Sequence, residues 1–426
     1  RIGDPFAKRE LKMIAIRGRN SLTDDKFNED YDELLYYWHA WHEATGPQLK
    51  NKYMRYIQLA NQAARLNELF EDEYFRQNTA DVMSAIMHLY KNLFTYVRTK
   101  LFERYGDKIR RDGPIPAHIL GNMWAQNWED LFDLVQPFPA IMLKSEEFFT
   151  SLGMKPMPPE FWRFSMFEKP IDREVKMNYR YLSSVTMEDL LSTHHEIARL
   201  QYFLQYSDKK NYFSVSDAIE LSVFTPQHLS KLELHDNSTD DYGSDINFLM
   251  LMALRKVAYM WRVFNEGVTD MTNKWWELRL QYQGIVPPVP RSERDFDPGS
   301  KYHIPADALY AKYFVGVVLQ FQLFESLCEI AGHTGDLHTC DFYRSREAGR
   351  LLSDVLSIGS SRSWKDVVRQ MTRGRTNRMD ASAILRYFEP LNKWLKRQNE
   401  MEPVVGWITN RDDTGKNKKR LDSIEY

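Results

Sequence analysis

The segment THHEIARLQ, residues 193–201, comes within one residue of a zinc-binding pattern. In the pattern H-E-x-x-H, two histidines on one face of a helix bind zinc, and the glutamate between them acts as a general base on the metal-bound water. Here His195 and Glu196 open the pattern, but Arg199 stands where the second histidine belongs. The chemistry at issue is therefore metal-assisted hydrolysis with one metal ligand replaced.

Arg199 cannot serve as a metal ligand. Its guanidinium stays protonated, has no lone pair to donate, and brings positive charge to the place where a dication would bind. The alternative interpretation is that His195 is a packed or hydrogen-bonding histidine and that Arg199 returns a hydrogen bond to Glu196, three residues back on the helix. If that pair is partly buried, changing Arg199 to histidine costs on the order of a few kcal/mol.

Helical periodicity dominates the elements that must position these residues. Glycine and proline are sparse, and apolar residues recur at i, i+3, i+4 and i+7 through long segments of good helix formers. We therefore predict an all-α protein with little β structure. The predicted helices span residues 28–44, 48–70, 79–105, 116–133, 143–151, 187–207, 214–222, 226–234, 243–281, 305–331, 344–356, 363–371 and 380–401.

Composition narrows the classes of partner. The 57 basic and 59 acidic residues leave a net charge of -2, which gives no electrostatic case for nucleic acid or an anionic membrane. The most apolar stretch, residues 313–324, is shorter than the roughly 20 residues of a spanning helix. Since the chain starts at Arg1 and no signal peptide is evident, we expect a processed form or fragment, with membrane attachment only through segments outside this chain.

Two cysteines and one sequon bear on the compartment. Cys328 and Cys340, twelve residues apart, could be reduced thiols of a cytosolic protein or could be bridged, and spacing alone favours reduced thiols. Asn237 begins an Asn-Ser-Thr sequon in a polar run, where it could carry a glycan if the protein is secreted.

Several long stretches extend the pattern far beyond one helix. They include GPIPAHILGNMWAQNWED (113–130), EEFFTSLGMKPMPPEFW (146–162), LSVFTPQHLSKLEL (221–234), SDINFLMLMALRKVAY (244–259), KYHIPADALYAKYFVGVVLQFQLFESLC (301–328) and GSSRSWKDVV (359–368). On these residues the chain resembles angiotensin-converting enzyme and its relatives, helical zinc dipeptidyl carboxypeptidases. The resemblance implies a zincin-like fold with a central groove, one domain over residues 1–408 without the family's N-terminal lid helices, and a polar tail over 409–426.

The resemblance also implies that the family's metal site is degenerate here. The first zinc ligand matches His195 and the general base matches Glu196, whereas the second zinc histidine is replaced by Arg199. The third ligand, a glutamate, is replaced by Phe213, and an aspartate close to it in the family matches Asp217. With two of three ligands replaced, we expect no bound zinc and no peptidase activity.

The residues that contact substrate in the family are better retained. His303 and Tyr313 match the pair that stabilises the oxyanion, and Lys301 and Tyr310 match the pair that binds the C-terminal carboxylate of a peptide. These four residues could still bind a peptide, or they could persist only as packing and hydrogen-bond partners.

Chloride binding in the family depends on arginines and a tryptophan. These match Arg98, Trp275 and Arg279, so the resemblance implies chloride as a ligand at one anion site. Ordinary salt bridges would explain the same charges.

The two cysteines match a family disulfide, which changes the expected compartment from the cytosol to the secreted or extracellular side. We expect a catalytically inactive homologue, of the kind known in nematodes and insects, that acts as a binding or regulatory module for a peptide or protein ligand. One alternative is a residual metallopeptidase that uses His195, Asp217 and another nearby carboxylate. The other is a structural scaffold that meets its partner through its outer surface.

Overall fold

The structure is a computed structural model that describes residues 30–67, 73–120, 124, 125, 128, 141–164, 187–206, 216–231, 242–260, 270–307, 311–359 and 361–408. These ranges contain fourteen α-helices and two short strands, which confirms the all-α prediction. The first seven helices are α1 (Tyr31–Leu66), α2 (Glu73–Tyr105), α3 (Ile141–Ser151), α4 (Pro159–Phe164), α5 (Met187–Tyr206), α6 (Ser216–Val223) and α7 (Pro226–Lys231). The other seven are α8 (Tyr242–Met260), α9 (Met271–Gln283), α10 (Ala311–Ile330), α11 (Arg346–Ile358), α12 (Trp364–Met371), α13 (Ser382–Tyr387) and α14 (Glu389–Gln398).

Helix α1 passes through Pro47, which lies in the gap between two predicted helices. Helices were predicted over 28–44 and 48–70, yet one helix runs from Tyr31 to Leu66 with Pro47 inside it. Trp38, His42 and Gly46 are buried at four-residue intervals on one face of this helix. A Cβ at Gly46 would lie 2.3 Å from the Asp295 carbonyl oxygen. Close packing of this helix face therefore stabilises the helix by more than it loses with the one hydrogen bond that Pro47 removes, so the helix continues.

Other predicted helix boundaries were also wrong. The predicted helix over 243–281 is interrupted at Asp270, which has a left-handed backbone just before α9, and residues 261–269 lie outside the described ranges. The one predicted over 380–401 is divided at Phe388, because Pro390 disfavours helical backbone in the residues before it. Where 116–133 was predicted to be helical, the described residues contain no α-helix, and Ala117–Ile119 form a 3-10 turn. The helix predicted from 305 begins at Ala311, after turns over 301–307, and α4 was not predicted.

The two strands of the described residues are minimal. Strand β1 (Ile115–Pro116) pairs in parallel with β2 (Ile285–Val286), with Ile115 opposite Ile285. The Ile115 amide also donates to the carbonyl of Gly284, which ends helix α9 in the left-handed conformation. The pair therefore joins the segment after α2 to the end of α9.

The chain divides into two compact units. The first comprises Arg1–Phe132, Met250–Phe314 and Leu391–Tyr426, and the second comprises Asp133–Leu249 and Val315–Pro390. His195, Glu196, Arg199 and Asp217 belong to the second unit. The predicted peptide-binding and chloride residues that the structure describes belong to the first. The single predicted domain over 1–408 and its central groove stay predictions, and the tail over 409–426 lies outside the described residues.

Helix α5 is held on three sides within the second unit. It packs against α3, α6 and α11, and its buried residues Leu191, His194, Ala198 and Gln201 recur at helical spacing. The Gln201 amide donates to the Lys155 carbonyl oxygen at 2.6 Å, beyond the end of α3. This packing fixes which face of α5 presents His195, Glu196 and Arg199 away from the core.

One helix of the described residues, Tyr313–Ile330, is long and apolar enough to cross a membrane by length and composition alone. Of these 18 residues, 67% are buried inside the structure, which favours a helix of the protein core over a membrane-spanning helix. Buried core helices have the same composition.

Candidate functional site

The degenerate zinc motif lies on the outward face of helix α5. The Arg199 guanidinium donates from one nitrogen to both carboxylate oxygens of Glu196, at 3.3 and 3.2 Å. The structure thus contains the hydrogen bond that the spacing predicts. The two side chains are 64% and 58% exposed, however, so the expectation of a partly buried pair was wrong. An exposed pair contributes about 0–1 kcal/mol, far less than a buried one.

His195 lies between two carboxylates. Its Nδ1 is 3.7 Å from Oε1 of Glu196, and its Nε2 is 4.0 Å from Oδ1 of Asp217 on helix α6. Interaction with His195 is the main cause that lowers the pKa of Glu196 below its usual value, burial opposes this, and Arg199 lowers it further. The lowered pKa keeps Glu196 ionised but makes it a weaker base toward a proton of water.

The family's zinc ligand set does not fit these residues. The second position holds a guanidinium that is already bonded to the carboxylate that should activate water. Phe213, at the third position, lies outside the described residues and has no ligand atom in its side chain. We therefore derive no catalytic step through zinc at His195, Arg199 and Phe213.

The fold brings a different set of metal-ligating groups together at His195. Ligand atoms of His195, Asp217 and Glu220 all lie within 4.8 Å of one another. Asp217 and Glu220 are three residues apart on α6 and so share a face of that helix. Glu220 was missed by the sequence analysis, although its spacing from Asp217 was a signal, because the hypothesis of a residual metal site left the third ligand unnamed.

The predicted peptide-binding residues are only partly brought together. The rings of His303 and Tyr313 lie 6.4 Å apart in an edge-to-face arrangement. The Lys301 ammonium lies 4.4 Å from the centre of the Trp124 ring, and the residue is only 3% exposed. This burial favours the packing role for Lys301. Tyr310 lies outside the described residues.

The three predicted chloride residues divide into two environments. Arg98 is fully buried and donates to the backbone carbonyls of Gly113, Gly406 and Val404. Both terminal guanidinium nitrogens of Arg98 therefore bind the chain's own carbonyls, and only its Nε has no acceptor in the described part of the chain. This makes Arg98 the poorer anion ligand.

Arg279 is the better candidate for binding chloride. Its guanidinium lies 5.5 and 5.4 Å from the ring centres of Trp275 and Trp276 and donates to the Trp124 carbonyl oxygen. Burial lowers the pKa of Arg279 to about 10. Its Nε has no hydrogen-bond acceptor in the described part of the chain, so a small anion would satisfy a buried donor and a buried charge.

We predict that chloride stabilises the protein through Arg279. At equal ionic strength, sodium chloride should raise the melting temperature above that in sodium gluconate, by an amount equivalent to about 1.4 kcal/mol when chloride is about tenfold above its dissociation constant. Arg279→Lys should remove the difference between the salts, whereas Arg294→Lys, at an exposed position, should keep it. Equal melting temperatures of the unmodified protein in the two salts would contradict the prediction.

The structure contains the disulfide between Cys328 and Cys340, with their Cα atoms 6.0 Å apart. It closes the turn after helix α10, as the resemblance implied and the spacing alone did not. The sequon at Asn237 lies outside the described residues and stays a prediction.

Comparisons with known proteins place the chain in a family. The family model described as "Angiotensin-converting enzyme" matches residues 20–143 and 140–407. The angiotensin-converting enzymes of Sus scrofa and Bos taurus are 40% and 41% identical, each over 89% of this chain and 34% of the relative. That of Theromyzon tessulatum is 35% identical over 89% of this chain and 72% of the relative.

The chain spans about a third of the length of the mammalian relatives. The matches nonetheless cover nearly all of this chain, including the helices that carry His195 and Asp217. The chain therefore belongs to the angiotensin-converting enzyme family.

Proposed function

We propose that this chain is a non-peptidase member of the angiotensin-converting enzyme family. One observation carries the proposal: Arg199 replaces a zinc histidine and binds Glu196, the residue at the position of the general base. A carboxylate paired with a permanent cation is less available to take a proton from water. Phe213 at the third ligand position supports the same conclusion from the sequence.

For a family member without peptidase activity, we propose that the function is to bind another molecule. We propose that the protein is a secreted or extracellular regulatory module that binds a peptide or protein, attached to a membrane only through segments outside this chain. The disulfide supports an oxidising compartment, and the His303–Tyr313 pair supports a retained polar contact for a peptide. The near-zero net charge gives no support to nucleic acid as a partner.

A residual metallopeptidase is the second candidate function. It is favoured by the cluster of His195, Asp217 and Glu220, which could hold a metal ion beside Glu196. No observation in the described residues favours the structural scaffold.

We predict that the purified protein does not cleave a blocked tripeptide, with or without added zinc. Because Phe213 still lacks a ligand atom, Arg199→His should not create activity either. The angiotensin-converting enzyme of Sus scrofa, assayed in parallel, serves as the positive control. Dipeptide release that requires zinc and is abolished by a chelator would overturn the proposal in favour of the second candidate.

The same variant tests how much the exposed pair contributes to stability. Arg199→His should lower the free energy of unfolding by less than about 1 kcal/mol. Arg350→His is a matched control, since Arg350 forms an equally exposed pair with Glu347 at the same spacing. A loss several kcal/mol larger for Arg199→His than for Arg350→His would show that Glu196 is buried in the protein.

A further inference from the structure

A segment of the second compact unit, residues 361–378, carries a local excess of positive charge. It contains six basic residues and one acidic residue, a net charge of +5, whereas the whole chain has a net charge of -2. The basic residues are Arg362, Lys365, Arg369, Arg373, Arg375 and Arg378. Because a charged ligand responds to the field of the surface that it meets, the charge of the whole chain does not describe this surface.

Helix α12 carries two of these cations on its outer face. Its buried residues are Val367, Val368 and Met371. Lys365 and Arg369 are four residues apart, so they share the face opposite to the buried one. The one acidic residue of the segment, Asp366, accepts from the hydroxyl of the N-cap residue Ser363 at 2.7 Å. Its carboxylate is therefore engaged in capping the start of the helix.

The turn after α12 places a third cation close to Arg369. The Gly374 amide donates to the Arg369 carbonyl oxygen at 2.7 Å, and the Arg373 amide donates to the Gln370 carbonyl oxygen at 3.0 Å. These bonds fold the chain back over the last turn of the helix. Lys365, Arg369 and Arg373 thus follow one another along α12, which is about 12 Å long, and we call these three residues the basic surface.

Arg369 and Arg373 differ from Arg375 in their bonding. Arg375 is bonded to Glu329 on helix α10 and donates to the Ser326 hydroxyl at 2.8 Å, so its charge is neutralised and the loop is held against α10. Arg369 and Arg373 are exposed and form no ion pair with any residue that the structure describes. Their charges are therefore open to an anion from solution.

The backbone conformation of Arg373 is unfavourable for an arginine. Its φ is +56°, in the left-handed region that glycine adopts readily and that costs free energy for a residue with a Cβ. Such strain is concentrated at functional sites, where the surrounding structure holds it in place. A strained, exposed arginine that lacks an acidic partner among the described residues therefore points to a ligand that its charge binds.

We propose that the basic surface binds a sulfated polysaccharide. Arginine matches a sulfate group well, since its planar guanidinium donates two parallel hydrogen bonds to two oxygens of an anion. Three cations in succession along α12 suit a linear chain of repeated negative charges better than a single small anion. The proposal goes beyond the peptide or protein ligand of the proposed function and does not depend on the absence of peptidase activity.

Two observations favour a polysaccharide over a membrane or a nucleic acid. No large apolar side chain is exposed in residues 361–378, all of which the structure describes, so this surface has nothing to insert into a bilayer or to stack on bases. The disulfide favours the proposed extracellular compartment, where sulfated polysaccharides are abundant. The choice of partner, though not the anion-binding surface itself, rests on that compartment.

The test is binding of heparin to the full chain, measured by isothermal titration calorimetry at about 150 mM salt and over a range of salt concentrations. We expect saturable binding that weakens as salt rises, because bound cations displace the counterions of the polyanion. The double variant Arg369→Gln with Arg373→Gln should weaken heparin binding by about tenfold or more. It should also lower the slope of log Kd against log salt by roughly 2, one for each cation removed.

Arg55→Gln with Arg294→Gln is the matched control. Both arginines are exposed and lie in the first unit, so this variant loses the same net charge at a different surface. It should bind heparin as the unmodified chain does. The basic run at residues 418–420 is present in every variant, so heparin binding through that run alone would not differ between them.

Arg373→Gly separates binding from stability. Glycine adopts a left-handed backbone without strain, so the melting temperature should not fall. Heparin binding should nevertheless weaken about threefold or more, and the salt slope should drop by roughly 1. This single variant tests the surface even if the double variant fails to fold.

The proposal is overturned if the unmodified chain does not bind heparin at about 150 mM salt, or if a folded double variant or Arg373→Gly binds it as tightly as the unmodified chain. Equal binding of desulfated heparin would show that sulfate groups are not recognised. Tighter binding of duplex DNA, or of vesicles that contain phosphatidylserine, would replace the polysaccharide with another class of partner. Tripeptide cleavage would overturn only the proposed function and leave this surface as proposed.

Discussion

Replacing Asp341 with alanine should lower the free energy of unfolding by about 3 kcal/mol, because hydrogen-bond donors buried against it lose their acceptor. One oxygen of Asp341 accepts from Ser222 at 3.0 Å and lies 3.2 Å from Nδ1 of His228, and the other accepts from Lys231 at 2.9 Å. The side chains of Asp341 and His228 are 2% and 1% exposed. The substitution would leave the buried groups of helices α6 and α7 without their acceptor.

The pH dependence of stability provides an independent measure of the same interaction. Burial by itself would raise the pKa of Asp341, but the hydrogen bond and charge of His228, with Lys231 and the Tyr343 amide, lower it to about 2 from a usual 3.8. A lowered folded-state pKa gives stability that is present above pH 4 and is lost as the pH falls toward 2. The loss amounts to about 2 kcal/mol.

Urea denaturation followed by fluorescence, at pH 7 and through the acid range, measures both effects. Asp336→Ala is the matched control, because Asp336 is an exposed aspartate of the same loop whose side chain caps nothing. It should change stability by no more than about 0.5 kcal/mol. Two results would contradict the role of Asp341. One is that Asp341→Ala lowers the free energy of unfolding no more than Asp336→Ala does. The other is that Asp341→Ala loses as much stability between pH 4 and 2 as the parent protein does.

Removing the disulfide is the second change that we expect to lower the free energy of unfolding strongly. Changing Cys328 and Cys340 together to serine should lower the free energy of unfolding by about 3 kcal/mol, because the bridge restricts the unfolded chain over a loop of this length. Both cysteines are buried, at 2% and 0% exposed, so the serine hydroxyls add a burial cost. Cys340 precedes Asp341, so the losses from the two changes should not simply add.

A reductant distinguishes the stability lost with the disulfide from any effect of the serine side chains. Dithiothreitol should lower the melting temperature of the parent protein and leave that of the double-serine variant unchanged. Mass spectrometry after alkylation in urea, without reduction, should find neither cysteine modified. Full alkylation of both thiols would refute the bridge, and with it the main structural support for an extracellular compartment.

The helical class could be predicted from the sequence because it depends on local periodicity. The hydrogen bond between Glu196 and Arg199 could be predicted for the same reason, since residues three apart on a helix are neighbours in any fold. The disulfide followed from resemblance, because spacing of cysteines does not report the distance between their Cα atoms.

Burial and contacts between distant segments were decided by the tertiary structure. The side chains of Glu196 and Arg199 are exposed, Arg98 binds backbone carbonyls, and α1 continues through Pro47. Glu220 meets His195 only because α5 and α6 pack together. A sequence reports which groups can form a bond, whereas the packing of helices decides which groups are close enough to form it and how far water is excluded from them.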